Sequence, residues 1–317
     1  MGAADRRERP LRIVVVGTTA SGKSDVALAL ADRLDAEIVG ADSRQIYRGL
    51  EIGTAAPPAQ DRARIPHHFI GFLDPSETYS AGRFARDARA VLADLEARGR
   101  TAVIVGSSGL YLRALLSGLF EGPERDMAVR ARLNDRLRLE GLEALRSDLG
   151  RVDPEALAGI LPGDPVRVIR ALEVHELTGR PISSLRRERA GTPIEATWFG
   201  LRWSRSALAA RIEERVKLQL SGGFLREAQR LLERNLPPEA PGPRTLGYAE
   251  LLEHLRGSLD LGEATRKITQ RTRRLAKRQE TWFRRMDGIT WLDLSGPEDL
   301  TRAPDRILAR LAQEGVA

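Results

Sequence analysis

Gly17-Thr18-Thr19-Ala20-Ser21-Gly22-Lys23-Ser24 fits the spacing G-x-x-x-x-G-K-[ST], whose chemistry is phosphate binding. Backbone N–H groups at a helix N-terminus can cradle a di- or triphosphate there, and Lys23 adds a point charge. Ser24 is placed to ligate Mg²⁺. A second candidate is Asp42, in Asp42-Ser43-Arg44-Gln45. From its position alone Asp42 could ligate Mg²⁺, cap the next turn or act as a general base. His67 and His68 are adjacent on an extended segment and point to opposite faces, so packing or hydrogen bonding suits them better than a shared metal. Arg167 and Arg170 lie one helical turn apart, which fits either a solvated face or an anion site. Late in the chain come Arg266, Lys267, Arg271, Arg273, Arg274, Lys277, Arg278, Arg284 and Arg285, with Trp282 and Phe283 among them. That density of positive charge suits a phosphate backbone.

The elements that must position these groups are legible from periodicity. Ile13 to Val16 is continuously apolar and β-branched, a buried parallel strand feeding the glycine loop. Val26, Leu28, Leu30 and Leu34 then recur at helical spacing. A second strand, Glu37 to Ala41, ends on Asp42, and ligands of open α/β sheets gather at such carboxyl ends. Ser80 is expected to cap a helix from Ala81 to about Arg98. Thr101 to Val105 is a third strand running into Gly106-Ser107-Ser108-Gly109, where small residues permit either a close ligand or a tight turn. From about Glu121 to Thr197 charged helical segments replace strands, at Ala128–Glu140, Leu142–Leu149, Pro154–Leu161 and Pro165–Leu177. Trp198 to Trp203 returns to strand character, Ser204 caps a helix bearing Arg205, Arg211 and Arg215, and a last long helix is expected over Leu261 to Met286.

Composition bounds the partners. The chain has 317 residues, 42% hydrophobic and 30% charged, enough for a full core and more than one folding unit. No cysteine is present, which removes disulfides, thiolate metal sites and a cysteine nucleophile. No apolar run approaches the roughly 20 residues that span a bilayer. Residues 1–10 are charged without an apolar stretch, so a disordered lead-in is expected and not a secretory signal. These features point to a cytoplasmic protein. Lys and Arg outnumber Asp and Glu 51 to 44, a net charge of +7 that hints at a polyanionic partner.

Taken together, these segments resemble the tRNA dimethylallyltransferases, over about Ile13 to Arg285. The family's D-S-R-Q stands at Asp42 to Gln45, its G-M-D-I-G-T-A-K-P at Gly49 to Pro57, and its P-H-H at Pro66 to His68. D-P-x-x-x-Y-S stands at Asp74 to Ser80. The insert motif N-D-x-x-R-x-x-R-A-L-E appears as Gly163-Asp164 with Arg167, Arg170, Ala171, Leu172 and Glu173, and A-K-R-Q-x-x-W-x-R begins at Ala276. The resemblance implies transfer of a dimethylallyl group from dimethylallyl diphosphate to N6 of the adenine 3′ of the anticodon, in tRNAs reading UNN codons. It implies Asp42 as the residue that accepts the N6 proton, with Thr19 beside the reacting centre. Gly17 to Ser24 would hold the diphosphate, with Mg²⁺ at Ser24 and Arg215 on the far side. Contacts to the anticodon stem-loop would come from Asp42, Ser43, Arg44, Gln45, Ser108, Arg130, Val166, Arg167, Val168, Ile169, Arg170, Arg274, Lys277 and Arg278.

The chain departs from the family pattern at several points. G-G-T after the third strand reads Gly106-Ser107-Ser108 here, so Ser107 adds a side chain near the site while Ser108 keeps a hydroxyl. Thr18 replaces a proline, Gly163 an asparagine and Val166 a glutamine. The expected architecture is α/β, a P-loop NTPase-like parallel sheet over 11–120 and 198–317 with a helical insertion at 121–197 and a basic C-terminal helical region, acting as a monomer. A prenyltransferase for free AMP, a small-molecule kinase and a non-catalytic RNA-binding module share parts of this pattern. The first lacks a need for the basic helix, the second leaves D-S-R-Q and A-K-R-Q unexplained, and the third predicts tRNA binding without turnover.

Overall fold

A computed structural model describes residues 10–118, 122–188 and 193–314. The expected lead-in before Pro10 and the domain edge placed at 120/121 lie outside the described residues. The chain divides into two compact units, one ending at Leu116 and resuming at Ile194, the other spanning Ser117–Pro193.

The first unit opens with β1 (Arg12–Gly17), α1 (Lys23–Arg33), β2 (Glu37–Gly40), the short α2 (Glu51–Thr54) and α3 (Ala59–Arg64), and β3 (His67–His68). Then come α4 (Ala81–Ala97), β4 (Ala102–Gly106) and α5 (Gly109–Ser117). In the second unit α6 (Met127–Glu140), α7 (Leu142–Val152), α8 (Pro154–Ala158), α9 (Pro165–Thr178) and α10 (Ile182–Arg187) follow one another. The first unit resumes with β5 (Thr197–Trp203), α11 (Arg205–Ser221), α12 (Phe224–Glu233), α13 (Tyr248–Leu255), α14 (Leu261–Phe283), β6 (Ile289–Leu294) and α15 (Pro297–Gln313).

All strand pairings named here are parallel, in the order β3-β2-β4-β1-β5-β6. Parallel strands need both faces covered, and the period-two alternation of side chains divides them between two cores. Val14, Val16, Val39 and Ile104 face a layer with Phe84, Leu112, Phe224 and Ile268. Ile13, Val15, Ile38 and Val103 face α1 and α15 through Val26, Leu30, Ile307 and Leu311. The element β6 and helix α15, beyond the last helix expected from periodicity, thus complete the second layer. Ser80 and Ser204 cap α4 and α11 with their hydroxyls, as read from sequence. Among the described residues no helix is long and apolar enough to cross a membrane.

The second unit has its own core of Leu133, Leu145, Leu149, Val168, Ile169, Leu172 and Val174. Glu173 is fully buried within it. Arg130 grips its carboxylate with two bonds of 2.8 and 3.0 Å, Arg170 adds one of 2.8 Å, and the Asp126 N–H a fourth of 3.0 Å. Burial alone would raise the pKa of Glu173, yet the two guanidiniums hold it below the usual carboxylate range. Arg170 also donates to the Pro123 carbonyl at 2.8 Å. Two expectations are corrected by this packing: Val168 and Ile169 are buried in the core, so their side chains offer nothing to a nucleic acid. Arg130 and Arg170 hold the unit together, Arg130 through Glu173 and Arg170 through Glu173 and the Pro123 carbonyl. Glu173→Ala would leave two guanidiniums without their shared partner, at a cost of about 3 kcal/mol. Hydrogen exchange should show α6 and α9 opening far more readily in that variant while the sheet amides keep their protection; unchanged α9 protection would count against the role.

Candidate functional site

Sheet order places the site. Strand β4 lies between β2 and β1, so the carboxyl ends of all three converge. The end of β1 carries the glycine loop, β2 delivers Asp42, and β4 delivers Ser107 and Ser108. Approach at this point is close: a Cβ on Gly106 would lie 2.0 Å from the Ala41 carbonyl oxygen, so only glycine fits. The Ser108 N–H donates to Ala41 O at 3.2 Å, and the Ser43 N–H donates to Ser108 Oγ at 2.9 Å. Asp42 Oδ1 accepts the Arg44 N–H at 2.9 Å, and Asp42 Oδ2 accepts the Ser107 hydroxyl at 2.7 Å. Asp42 therefore does cap its own turn, with one lone pair per oxygen left over.

The loop itself is held from several sides. Gly22 sits at φ 85°, the left-handed conformation from which α1 starts. Trp203 at the end of β5 donates its indole N–H to Ser21 O at 2.9 Å. Arg211 donates to Ala20 O at 2.8 Å while its guanidinium lies 4.4 Å from the centroid of the Trp203 ring. These braces fasten the Ala20 and Ser21 carbonyls and so fix the course of the loop. Thr19 is pinned twice: its N–H donates to Gln279 Oε1 at 2.8 Å, and its Oγ1 accepts from Arg215 at 3.0 Å. Gln279 Nε2 reaches on to Ser107 O at 3.3 Å, joining the phosphate loop to the β4 turn. Ser21 Oγ is buried and has no hydrogen-bond partner among the described residues.

Three charges converge here. Burial pushes the Lys23 ammonium down to about 8, Asp42 opposes that fall and Arg215 adds to it. Burial likewise lowers Arg215, opposed by Asp42 and Asp25. Lys23, Ser24, Gln45 and Gly106 line a pocket with Pro57 and His67. In α2 the Ile52 and Gly53 N–H groups donate to the buried Glu227 at 3.0 and 2.9 Å. Thr54 O, at the other end of α2, accepts from Gln45 at 3.2 Å and Arg215 at 3.4 Å. The two histidines hydrogen-bond to Ile65 O and Glu37 at 2.7 Å each. No group of three or more His, Asp or Glu side chains that could hold a metal occurs among the described residues. Ser24 is a hard oxygen donor, which fits Mg²⁺ if the rest of the ion's shell comes from phosphate oxygens and water.

The structure thus brings Thr19, Lys23, Ser24, Asp42, Arg215 and Ser108 to one place. Arg274, Lys277 and Arg278 lie together on the exposed face of α14, and none has an ion-pair partner among the described residues. Their neighbours differ, since Arg271 pairs with Glu250 at 2.6 Å and Arg273 pairs with Glu213. In the second unit, Val166 and Arg167 are exposed, with Arg167 3.4 Å from Asp164. Sequence reasoning gave no role to Trp203, Arg211 or Gln279. Gln279 stood inside a quoted motif, and its helical offset from Ala276 and Phe283 marked it as inward-facing.

A family model for IPP transferases matches residues 45–286. The tRNA dimethylallyltransferase of Geobacter metallireducens is 43% identical over 297 residues, 93% of this chain and 96% of the relative. That of Anaeromyxobacter sp. strain K is 45% identical over 298 residues, 93% of this chain and 96% of the relative. The crystal structure of the full-length tRNA isopentenylpyrophosphate transferase from Bacillus halodurans has a TM-score of 0.69 and 34% identity, covering 97% of this chain and 98% of that one. A eukaryotic dimethylallyltransferase captured acting on tRNA has a TM-score of 0.80 and 26% identity, covering 96% of this chain and 79% of that one.

Lys23 supplies a test of the electrostatics. Below about pH 8 its ammonium is charged, and above that value the free site increasingly lacks the cation. Affinity for methyl diphosphate, measured by calorimetry from about pH 7 upward, where the ligand keeps its full charge, should be level to pH 8 and fall by up to about tenfold per pH unit above it. Lys23→Met should bind more weakly and abolish that slope; an unchanged slope would assign it to another group.

Proposed function

The chain belongs to the IPP transferase family, and from that premise we propose that it is a tRNA dimethylallyltransferase. It transfers the dimethylallyl group of dimethylallyl diphosphate to N6 of the adenine 3′-adjacent to the anticodon in tRNAs reading UNN codons, releasing diphosphate. The observation that carries this reading is the juxtaposition of the phosphate loop with an acceptor carboxylate. Lys23 and Arg215 stand on the same side as Asp42, whose two oxygens each keep a free lone pair.

The chemistry follows from that arrangement. The C1–O bond of the donor breaks and its electron pair leaves with the diphosphate, while the N6 lone pair forms the new C–N bond. An allylic carbon tolerates positive charge, so stabilising the departing anion and aligning the amine account for most of the acceleration. Loop N–H groups and Lys23 receive the anion, with Arg215 on its far side holding Thr19 Oγ1 at 3.0 Å. The N6 amine is a poor nucleophile, and Asp42 takes its proton as the bond forms. Ser24 would hold Mg²⁺, which supplies Lewis-acid stabilisation of the leaving diphosphate. The adenine must leave its stack to reach Asp42. Ser43, Arg44, Gln45 and Ser108 border that point, and Arg274, Lys277 and Arg278 present charge to the RNA backbone. Val166 and Arg167, exposed in the second unit, are further contacts to the anticodon stem-loop. The same proposal has the enzyme act as a monomer in the cytoplasm.

Incubation with dimethylallyl diphosphate, Mg²⁺ and a UNN-reading tRNA transcript, followed by nuclease digestion and mass spectrometry, should yield one adenosine carrying one five-carbon unit. Prenylation of AMP in place of tRNA would move the chain to the mononucleotide branch. Asp42→Asn should keep tRNA affinity and lose at least roughly 100-fold in rate, the lower range for a positioned base. Replacing Arg274, Lys277 and Arg278 together by alanine should weaken tRNA binding and flatten its dependence on log salt by about 2 units, from some 0.7–0.9 per phosphate contact. The KM for dimethylallyl diphosphate should not move in that triple variant.

A further inference from the structure

We propose that Ser107 is a positioning residue for the reaction, fixing the Asp42 carboxylate through its own hydroxyl. This rests on the reading of Asp42 as the base. The family pattern quoted above has glycine at this position, where this chain carries a hydroxyl.

Rotation about the terminal torsion of an aspartate is broad and soft, so one hydrogen bond does not set the plane of its carboxylate. Here each oxygen is engaged separately. The Arg44 N–H holds Oδ1 at 2.9 Å and the Ser107 hydroxyl holds Oδ2 at 2.7 Å. With both oxygens held, the remaining lone pairs point in fixed directions, and one can be aimed at an incoming N6–H. Ser107 is itself buried, at 7% exposure, so its hydroxyl has little water to turn toward. Its backbone is fixed as well, because Gln279 Nε2 donates to Ser107 O at 3.3 Å. The same amide takes the Thr19 N–H at 2.8 Å. The base is therefore tied through Ser107 and Gln279 to the loop that receives the leaving group. Proton acceptor and departing anion are held in register across the carbon that moves between them, and small misplacements there are costly in rate.

The test compares Ser107→Ala, Ser107→Thr, Asp42→Asn and the double variant by steady-state kinetics, with thermal melting as a check on folding. Ser107→Ala should lower kcat about 10-fold, the scale of one hydrogen bond to a charged group, and leave both KM values in place. Ser107→Thr retains the hydroxyl and should restore most of the rate. In the Asp42→Asn background the Ser107→Ala loss should vanish. Ser107→Gly, the residue of the family pattern, serves if the alanine variant does not fold, and should show the same kcat loss. Full-rate Ser107→Ala beside a crippled Asp42→Asn overturns this proposal and leaves the base reading standing. So does a Ser107 effect that persists undiminished without Asp42. Unchanged turnover in Asp42→Asn overturns the base reading itself.

Discussion

The site depends on one steric constraint, the contact between Gly106 and the Ala41 carbonyl. Any side chain at Gly106 would occupy the space of that oxygen. Because none is there, the ends of β2 and β4 approach closely enough for Ala41 to bond to Val105 at 2.7 Å and Ser108 to Ala41 at 3.2 Å. That approach sets Asp42 against Ser107. It is a backbone effect, and it precedes every side-chain interaction in the site: the carboxylate can be held only because two strand ends have already been brought together. Strand order does the rest, since β4 sits between β2 and the strand that feeds the phosphate loop.

Much of this was legible in the sequence. A continuous β-branched run marked β1, shorter apolar segments marked β2 and β4, the glycine spacing marked the loop, and an acidic residue just past a strand end marked Asp42. Other features were hidden for physical reasons. The pairing of Arg130 with Glu173 joins residues far apart in sequence, and no local pattern reports it. Arg170 and Glu173, one turn apart, did carry a local signal, but an i,i+3 pair looks the same on a solvated face and in a core. Val168 and Ile169 sit next to exposed Val166 and Arg167, and only the helical phase separates them. Ser107 was visible as a departure from a pattern; that its hydroxyl meets Asp42 is a property of the β2–β4 approach.

Charge allocation decides how a modest excess of basic residues is presented at the surface. A guanidinium held by a carboxylate contributes little net field, so the sum of +7 says less than the placement of the unpaired cations. On α14 the paired positions, Arg271 and Arg273, reach α13 and α11 through Glu250 and Glu213 and secure the helix. Arg274, Lys277 and Arg278 project from its exposed face. Helical periodicity turns Gln279 in the opposite direction, with Ala276 and Phe283, toward the phosphate loop.

One rigid element therefore carries both the outward cations and the inward amide. A loop bearing the same residues could bind phosphate outside and reach Thr19 inside, but its two ends would move independently. In α14 the rise per residue and the turn angle fix the distance between the outward cations and the inward amide. Trp282, one turn along, locks the helix further by packing where a Cβ on Gly109 would lie 2.0 Å from its indole nitrogen. The requirement for glycine at that position is thus a requirement about α14, and the spacing between its outward cations and the amide that meets the phosphate loop is built into the helix itself.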